Sequence, residues 1–436
     1  MPTDLTRATR YLRRLLSQRS EDALGERLEP SDESLSPRLT GATRITPEAY
    51  ERRWRVIGGS PEAREVLLDM PAQRDASRFS QNIENFIGTA KVPLGVAGPL
   101  RVQGLFARGD YYVPMATTEA ALVASCTRGA QAISRAGGAR TAVINEGVGR
   151  SPAFAFNTFA EAGRFVAWAT QQFEAIREAA EQTTRYGKLV DLKVSIQGNH
   201  VYLLLEYETG DAAGQNMVTI ATEAACRWII KHTPVTPAYW FVEANMSGDK
   251  KATPQSFLGV RGKKVIAEVV LPAELVATRF HASVTRMVQY YRMSATGGVM
   301  SGALGIQGHY ANALASVFIA CGQDAACVAE AASGVTRMEA TDAGDLYTSV
   351  TLPNLIVGTV GGGTGLPSAR ACLDLLSLPE ECPANAFAEV CGALVLAGEL
   401  SIIGALAAGE FAAAHQRLAR GAPADNHVSA GGADAQ

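Results

Sequence analysis

Glu119 stands between the polar turn Pro114-Met115-Ala116-Thr117-Thr118 and the apolar stretch Ala120-Ala121-Leu122-Val123-Ala124. A carboxyl desolvated at the head of a buried helix would hold a proton near neutral pH and could donate it. An acid in a first helical turn is also favoured by the helix dipole alone, so both readings stay open. Lys250, in Gly248-Asp249-Lys250-Lys251, follows an apolar strand and a turn. An ammonium aimed into a cleft there could hold the oxyanion of a carbonyl under reduction; the plainer reading is a solvated face. Asp324 interrupts the apolar run Ala320-Cys321-Gly322-Gln323-Asp324-Ala325-Ala326, and a carboxylate buried in such a helix needs a partner. Glu119, Lys250 and Asp324 could supply one another. His415, on the terminal stretch 409–420, would serve as acid for a leaving thiolate, although a lone helical histidine is more often structural or exposed.

Two glycine-rich loops could carry a ligand: Gly358-Thr359-Val360-Gly361-Gly362-Gly363-Thr364-Gly365 and Thr209-Gly210-Asp211-Ala212-Ala213-Gly214-Gln215-Asn216. Glycine lets backbone come close to a flat ring or a phosphate. Neither loop is a GxGxxG fingerprint or a P-loop, and alone each is either a turn or a nucleotide loop.

These groups must be positioned by a chain of 436 residues, too long for one small core. The net charge of −3 gives no global signature of a nucleic-acid or anionic-membrane partner. The seven cysteines lack CxxC spacing and the six histidines lack HxxxH spacing, which speaks for reduced thiols, a cytoplasmic location and no metal site. No charge-free apolar run of about 18 residues is present, so no membrane span is expected. The basic stretch Arg7 to Arg19 reads as a solvated leading helix, with a membrane-surface or targeting helix as the alternative.

Residues 1–45 read as a short helix and a partly disordered linker, and Thr46-Pro47-Glu48-Ala49 as a capped helix start. Within 152–242 the order is strand, helix, hairpin, helix, strand; the hairpin turns at Gln197-Gly198-Asn199-His200, and Glu161 to Gln182 forms the first helix. The expected fold is therefore α+β. A large, mixed, helix-rich substrate domain (46–151 and 243–420) carries an inserted small ferredoxin-like βαββαβ nucleotide-binding domain (152–242). The Ala- and Gly-rich segment Ser294 to Ala332 suits buried helices, and 421–436 reads as a disordered tail.

In order along the chain, Glu84-Asn85-Phe86-Ile87-Gly88, Pro93 to Leu100, Pro114 to Glu119, Gly210 to Met217, Asp249-Lys250-Lys251, Gly322 to Ala326, Gly358 to Thr364 and Ala397-Gly398-Glu399-Leu400-Ser401 resemble the hydroxymethylglutaryl-CoA reductases, in their soluble, class I-like form. The resemblance covers 84–420. It implies a two-step reduction of the CoA thioester to mevalonate and free CoA, using NADPH twice, with no metal. The catalytic set it implies is Glu119, Lys250, Asp324 and His415. Lys250 would polarise the thioester carbonyl, His415 protonate the CoA thiolate, Glu119 protonate the aldehyde, and Asp324 tie Lys250 and Glu119 together. Substrate contacts implied are Arg150, Asp249, Lys251 and Arg292 near the free carboxylate, Asn312 near the thioester, and Ser125 and Arg128 at the CoA moiety. Cofactor contacts implied are Thr184, Arg185 and Tyr186 at the 2′-phosphate, then Asp211, Asn216, Gly361, Gly362, Gly363 and Arg420. A homodimer or dimer of dimers, with active sites between subunits, is implied too; nucleic acid and membrane are not.

Four departures bear on the acyl group and the cofactor. Glu243 stands where the family usually has serine, and would repel a substrate carboxylate unless turned away or neutralised. Arg292 replaces a lysine, Ala213 and Gln215 stand where methionine is common, and Glu208 aligns with an arginine. A paralogue acting on a related 3-hydroxyacyl thioester and a catalytically silent scaffold are the alternatives.

Overall fold

The computed structural model describes residues 5–30 and 34–411; His415, Arg420 and the expected tail 421–436 lie outside the described residues. The chain divides into two compact units, Met1–Thr89 and Ala90–Gln436.

In the first unit, helix Leu5–Gln18 is the expected leading helix, and a second short one, Glu21–Glu26, follows it unanticipated. The helix expected at Thr46 starts there. The Thr46 hydroxyl accepts from Ala49 N at 3.3 Å, Pro47 takes a first-turn position, and the helix ends on Gly58 at φ 68°. Tyr50, Trp54, Leu68, Ala76 and Phe86 form a small core. Arg53 is buried beside it and donates to the carbonyls of Phe86 (2.9 Å), Gly41 (2.6 Å) and Arg44 (2.7 Å), which offsets the cost of burying its charge.

The described residues of the second unit are built on eleven strands. β1 (Leu94–Gly104) and β2 (Arg108–Ala116) make an antiparallel hairpin. β3 (Ala139–Arg150) is long enough to serve three neighbours: Ala139 to Thr141 pair in parallel with β1, Arg140 to Gly147 pair with β8 (Gly262–Leu271), and Val148 to Arg150 pair with β6 (His200–Glu208). β4 (Ala153–Ala155), β5 (Lys188–Gln197), β6 and β7 (Tyr239–Phe241) lie in the order β7-β4-β6-β5, all neighbours antiparallel. β8 pairs onward with β11 (Leu346–Leu355), then β10 (Gly334–Ala340) and β9 (Gly305–Ile306). The β5–β6 turn is the one expected, with Gly198 left-handed at φ 61°. One helix expected over 161–182 is instead two, Phe159–Ala169 and Phe173–Glu181, joined by a 3₁₀ turn. Thr170 at that break turns its hydroxyl back to Val166 O (3.0 Å), the competition with helix bonding that short hydroxyl side chains offer.

Five helices position the site: α1 (Leu122–Arg135), α2 (Gln215–His232), α3 (Val284–Ser301), α4 (Tyr310–Ala320) and α5 (Pro383–Ala408). Two cores form. The larger includes Val265, Ala267, Val269 and Leu271, alternate residues of β8, packed with α5. The smaller, including Phe154, Phe165, Leu203, Leu205 and Ile229, belongs to the 148–240 region. The expectation of burial over 294–332 holds for α4 but not for the end of α3. There Val299 and Met300 are 76% and 83% exposed, because nothing in the described chain packs on them.

Among the described residues α5 is the one helix long and apolar enough to cross a membrane, yet 89% of its apolar window is buried inside the protein. Two fully buried carboxylates interrupt it. Glu389 accepts from the backbone N–H groups of Leu105 (3.2 Å), Phe106 (3.0 Å), Ala107 (2.8 Å) and Val143 (3.2 Å), so it anchors the β1–β2 turn. Glu399 accepts from Gly308 N (3.0 Å), His309 N (2.7 Å) and Thr336 Oγ1 (2.7 Å), and faces His309 Nδ1 at 3.2 Å. Burial pushes the His309 imidazole down, but Cys126 and Glu399 outweigh it and hold the value at about 9. Burial likewise pushes Glu399 up, and His309, Thr336 and Gly308 bring it below the usual carboxylate range. The pair is therefore charged at neutrality.

A raised folded-state histidine contributes stability in full below its unfolded value of about 6.5 and loses it as pH climbs through the folded value. The unfolding temperature should accordingly fall between about pH 6.5 and about pH 9. His309→Gln, less stable throughout, should lose most of that slope; parallel curves would contradict the assignment.

Candidate active site

Lys250 sits in a tight turn that its own side chain does not make. Gly248 and Lys250 are both left-handed, at φ 74° and 56°, and Lys251 N closes the turn on Gly248 O at 3.1 Å. A non-glycine residue in that region is strained unless its surroundings impose it. Glu330 imposes it: fully buried, it accepts from Lys250 N at 3.2 Å through Oε1 and from Arg261 Nε at 2.6 Å through Oε2. Arg261 also donates to Gly149 O (3.0 Å) and pairs closely with Asp249. Asp249 in turn lies 3.0 Å from Arg150 Nη1. Arg150, itself buried, gives its Nε to Thr219 Oγ1 (2.8 Å) and Nη2 to Gln215 O (3.4 Å) at the start of α2.

The charges are balanced by this chain. Burial pushes Asp249 up, but Arg261 and Arg150 hold it below the usual carboxylate range. Burial pushes Glu330 up, and Arg261 and Lys250 N only partly offset it. With its backbone fixed, Lys250 points its ammonium to Asp324 Oδ2 at 2.9 Å, both side chains about two-fifths exposed. The hydrogen bond with Asp324 raises the Lys250 value, against burial, so the ammonium stays protonated.

Two sequence expectations need correction here. Asp324 is not in a buried helix. α4 ends at Ala320, Gly322 is left-handed at φ 66°, and any side chain on it would collide with Gly363 O. Asp324 therefore falls on an exposed turn, where its Oδ1 also accepts from Ala326 N at 3.0 Å. Glu119 is exposed as well, since α1 begins only at Leu122 and the residues before it form a turn, with Glu119 N donating to Thr117 Oγ1 at 3.0 Å. Lys250 and Asp324 meet as expected. Glu119 instead receives the Asn312 amide, Nδ2 lying 3.0 and 2.9 Å from its two oxygens.

The two glycine loops become one platform. Ala212 bridges Val360, Thr359 N donates to Asp211 O (2.9 Å), and Asp211 Oδ1 accepts from Ala384 N (3.1 Å) at the start of α5. Gln323, beside Asp324, donates to Gly358 O (3.0 Å) and accepts from Gly358 N (2.9 Å). A side chain at Gly358 would collide with Ala213 N. Gly361 and Gly362 are left-handed and face open space, as a loop that receives a flat group requires. α2 opens on Gly214 with no side-chain cap, so its first N–H groups can meet an anion, and Asn216 is exposed in that turn. Thr184 approaches Met217 Sδ of the same turn at 2.9 Å and accepts from Tyr186 N and Gly187 N. Arg185 and Tyr186 are left exposed beside it. The residues thus fit a dinucleotide: glycine backbone for rings, a helix start and an arginine for phosphates.

Other expected contacts are tied to protein. Ser125 donates to Ser401 Oγ (2.9 Å), and Arg128 donates to Ser401 Oγ (3.0 Å) and O (2.7 Å) on α5 while lying over the Phe280 ring. Lys251 is exposed and donates to Asp249 O at 2.8 Å. Arg292 is exposed on α3 and makes no hydrogen bond or ion pair with Arg150, Asp249 or Lys251 among the described residues. Glu243 is pinned in place, accepting from Ser151 N (3.1 Å) and Asn245 N (2.7 Å) with Arg150 Nη1 3.9 Å away.

This arrangement has relatives. The hydroxymethylglutaryl-coenzyme A reductase family model matches residues 49–420. The chain belongs to that family. It is 43% identical over 350 residues to the 3-hydroxy-3-methylglutaryl-coenzyme A reductase of Methanothermobacter thermautotrophicus, covering 80% of this chain and 87% of the relative. It is 42% identical over 352 residues to that of Methanocaldococcus jannaschii, covering 78% and 85%. In fold it is similar to the class II 3-hydroxy-3-methylglutaryl-CoA reductase of Streptococcus pneumoniae bound to NADPH, with TM-score 0.62 and 21% identity over 83% of this chain and 97% of that one.

Sequence reasoning missed Arg261 and Glu330 in this reductase-family chain. Glu330 carried the signal that drew attention to Asp324, a lone acid in an apolar run (Cys327-Val328-Ala329-Glu330-Ala331-Ala332), and here the acid is buried together with Cys327 and Ala331. Arg261→Ala should destabilise the fold by about 3–5 kcal/mol in urea unfolding, because it strands Glu330 without a cation. Lys251→Ala should cost no more than about 0.5 kcal/mol. Equal effects would contradict the buried network.

Proposed function

We propose that this chain reduces 3-hydroxy-3-methylglutaryl-CoA to mevalonate and free CoA, taking two hydrides in turn from NADPH. The observation that carries the reading is the Lys250–Asp324 ion pair, held on a fixed backbone next to the glycine platform. The small unit 152–242, with its strand order β7-β4-β6-β5 and its own core, is the ferredoxin-like cofactor domain in this reading. Residues 46–151 and 243–420 are the substrate domain.

NADPH supplies the hydride; the side chains hold charge and move protons. Lys250 holds the oxygen of the thioester carbonyl as it gains negative charge, and Asp324 keeps the ammonium aimed. His415, beyond the described residues, gives a proton to the CoA sulfur as the C–S bond breaks. Glu119, oriented by Asn312, gives a proton to the aldehyde oxygen in the second reduction. Arg150 and Lys251 face the free carboxylate, and Glu243, held by Ser151 N and Asn245 N with Arg150 beside it, has its repulsion of that carboxylate lessened. Ser125 and Arg128 receive the CoA moiety, and Asp211, Asn216, Gly361, Gly362 and Gly363 the dinucleotide, with Arg420 at its end. Thr184, Arg185 and Tyr186 take the 2′-phosphate.

The apolar end of α3, with Val299 and Met300 exposed, supports a homodimer, single or paired, in which Arg292 on the same helix serves the partner's site. Light scattering should return a dimer or tetramer.

Purified protein should oxidise two NADPH per mevalonate formed. Lys250→Ala should cut kcat by about 10²–10³-fold, the loss typical of removing an oxyanion donor; turnover surviving that change would remove Lys250 from the chemistry. Arg185→Ala should raise KM for NADPH while leaving KM for NADH in place. A matching rise for both would place the 2′-phosphate elsewhere.

A further inference from the structure

The buried pair of Glu399 on α5 and His309 before α4 reaches the candidate site by one further step. Glu399 takes donors from Gly308 N, His309 N and Thr336 Oγ1 and faces His309 Nδ1. Gly308 and His309 immediately precede α4, so this carboxylate fixes where α4 begins. The Cε1–Nε2 edge of the His309 ring meets α5 at Gly398, where any side chain would collide with it. Tyr310, fully buried, places its hydroxyl 3.1 Å from Thr336 Oγ1. His309 O then receives Asn312 N at 3.0 Å in the first turn of α4, and the Asn312 amide grips both oxygens of Glu119. Glu119 itself sits on an exposed turn held locally by Thr117, so its carboxyl takes its direction from Asn312.

We propose that Glu399 and His309 are positioning residues for the reaction. They set the first turn of α4, and through Asn312 they aim the Glu119 carboxyl. The inference rests on the reading of Glu119 as the proton donor given above. A stability role alone explains the pair poorly, because buried ion pairs are seldom more stable than apolar replacements, whereas fixing geometry is a role they do serve. Displacement of a reacting group by about 1 Å is enough to cost about 10²-fold in rate.

The test is a kinetic cycle on the full chain with Glu399→Gln, Asn312→Ala and the double variant, after wild-type turnover of 3-hydroxy-3-methylglutaryl-CoA has been established. Glu399→Gln should lower kcat by about 10- to 100-fold, with KM for the thioester and Kd for NADPH within about twofold of wild type. The double variant should be no slower than the slower single one, since both changes break one chain of contacts. If Glu399→Gln does not fold, Thr336→Val, which removes one donor to Glu399 without changing shape, should give a smaller kcat loss that also vanishes in the Asn312→Ala background. Losses that multiply, or a rise in KM with kcat unchanged, would overturn the positioning role while leaving the reductase reading intact. Absence of wild-type turnover would instead overturn the reductase reading.

Discussion

Arg261 and Glu330 lie against each other where water does not reach, and each is committed to further partners. Glu330 uses its second oxygen on Lys250 N; Arg261 uses its remaining nitrogens on Gly149 O and Asp249. Removing either member would leave an uncompensated buried charge, so the pair and its partners must move together or not at all. Lys250 is held left-handed by this arrangement rather than by its own preference, and the ammonium leaves the turn toward Asp324 as a result. Asp249 passes the constraint on to Arg150 and so to the first turn of α2, beside the glycine loops.

A second constraint runs along α5. An apolar helix of that length is inert unless something interrupts it, and three residues do. Glu389 holds the β1–β2 turn, Glu399 holds the approach to α4, and Ser401 holds Ser125 and Arg128 on α1. Asp211 meets the same helix at its start, through Ala384 N. The helix that looks most like a membrane span by composition is thus the part to which the β1–β2 turn, the Asn312 helix, Ser125 and Arg128, and the glycine platform are all fastened.

Much of this was legible in the residues themselves. The capped helix at Thr46, the Gly198 hairpin and the succession of strands and helices over 152–242 follow from local chemistry and pattern; local chemistry left the pairing of Lys250 with Asp324 open, and only the family resemblance implied it. What was not legible is tertiary. Asp324 reads as buried because its neighbours are apolar, yet the left-handed Gly322, pressed against Gly363, ends the helix early and turns the acid outward. Glu119 reads as a helix-head acid, but α1 starts three residues later. Arg261 and Glu330 are sixty-nine positions apart, a separation at which no local period can announce a contact. Arg292 and the end of α3 stay exposed, with nothing in the described chain packed on Val299 and Met300.

The account stands on the Arg261–Glu330 pair setting the Lys250 backbone, and the most direct test is steady-state and NADPH-binding kinetics of Glu330→Gln. The glutamine keeps the shape but weakens the grip on Arg261 and Lys250 N. The kcat should fall nearly as far as on removing the Lys250 ammonium, with Kd for NADPH nearly unchanged. A folded Glu330→Gln protein with wild-type kcat would contradict it.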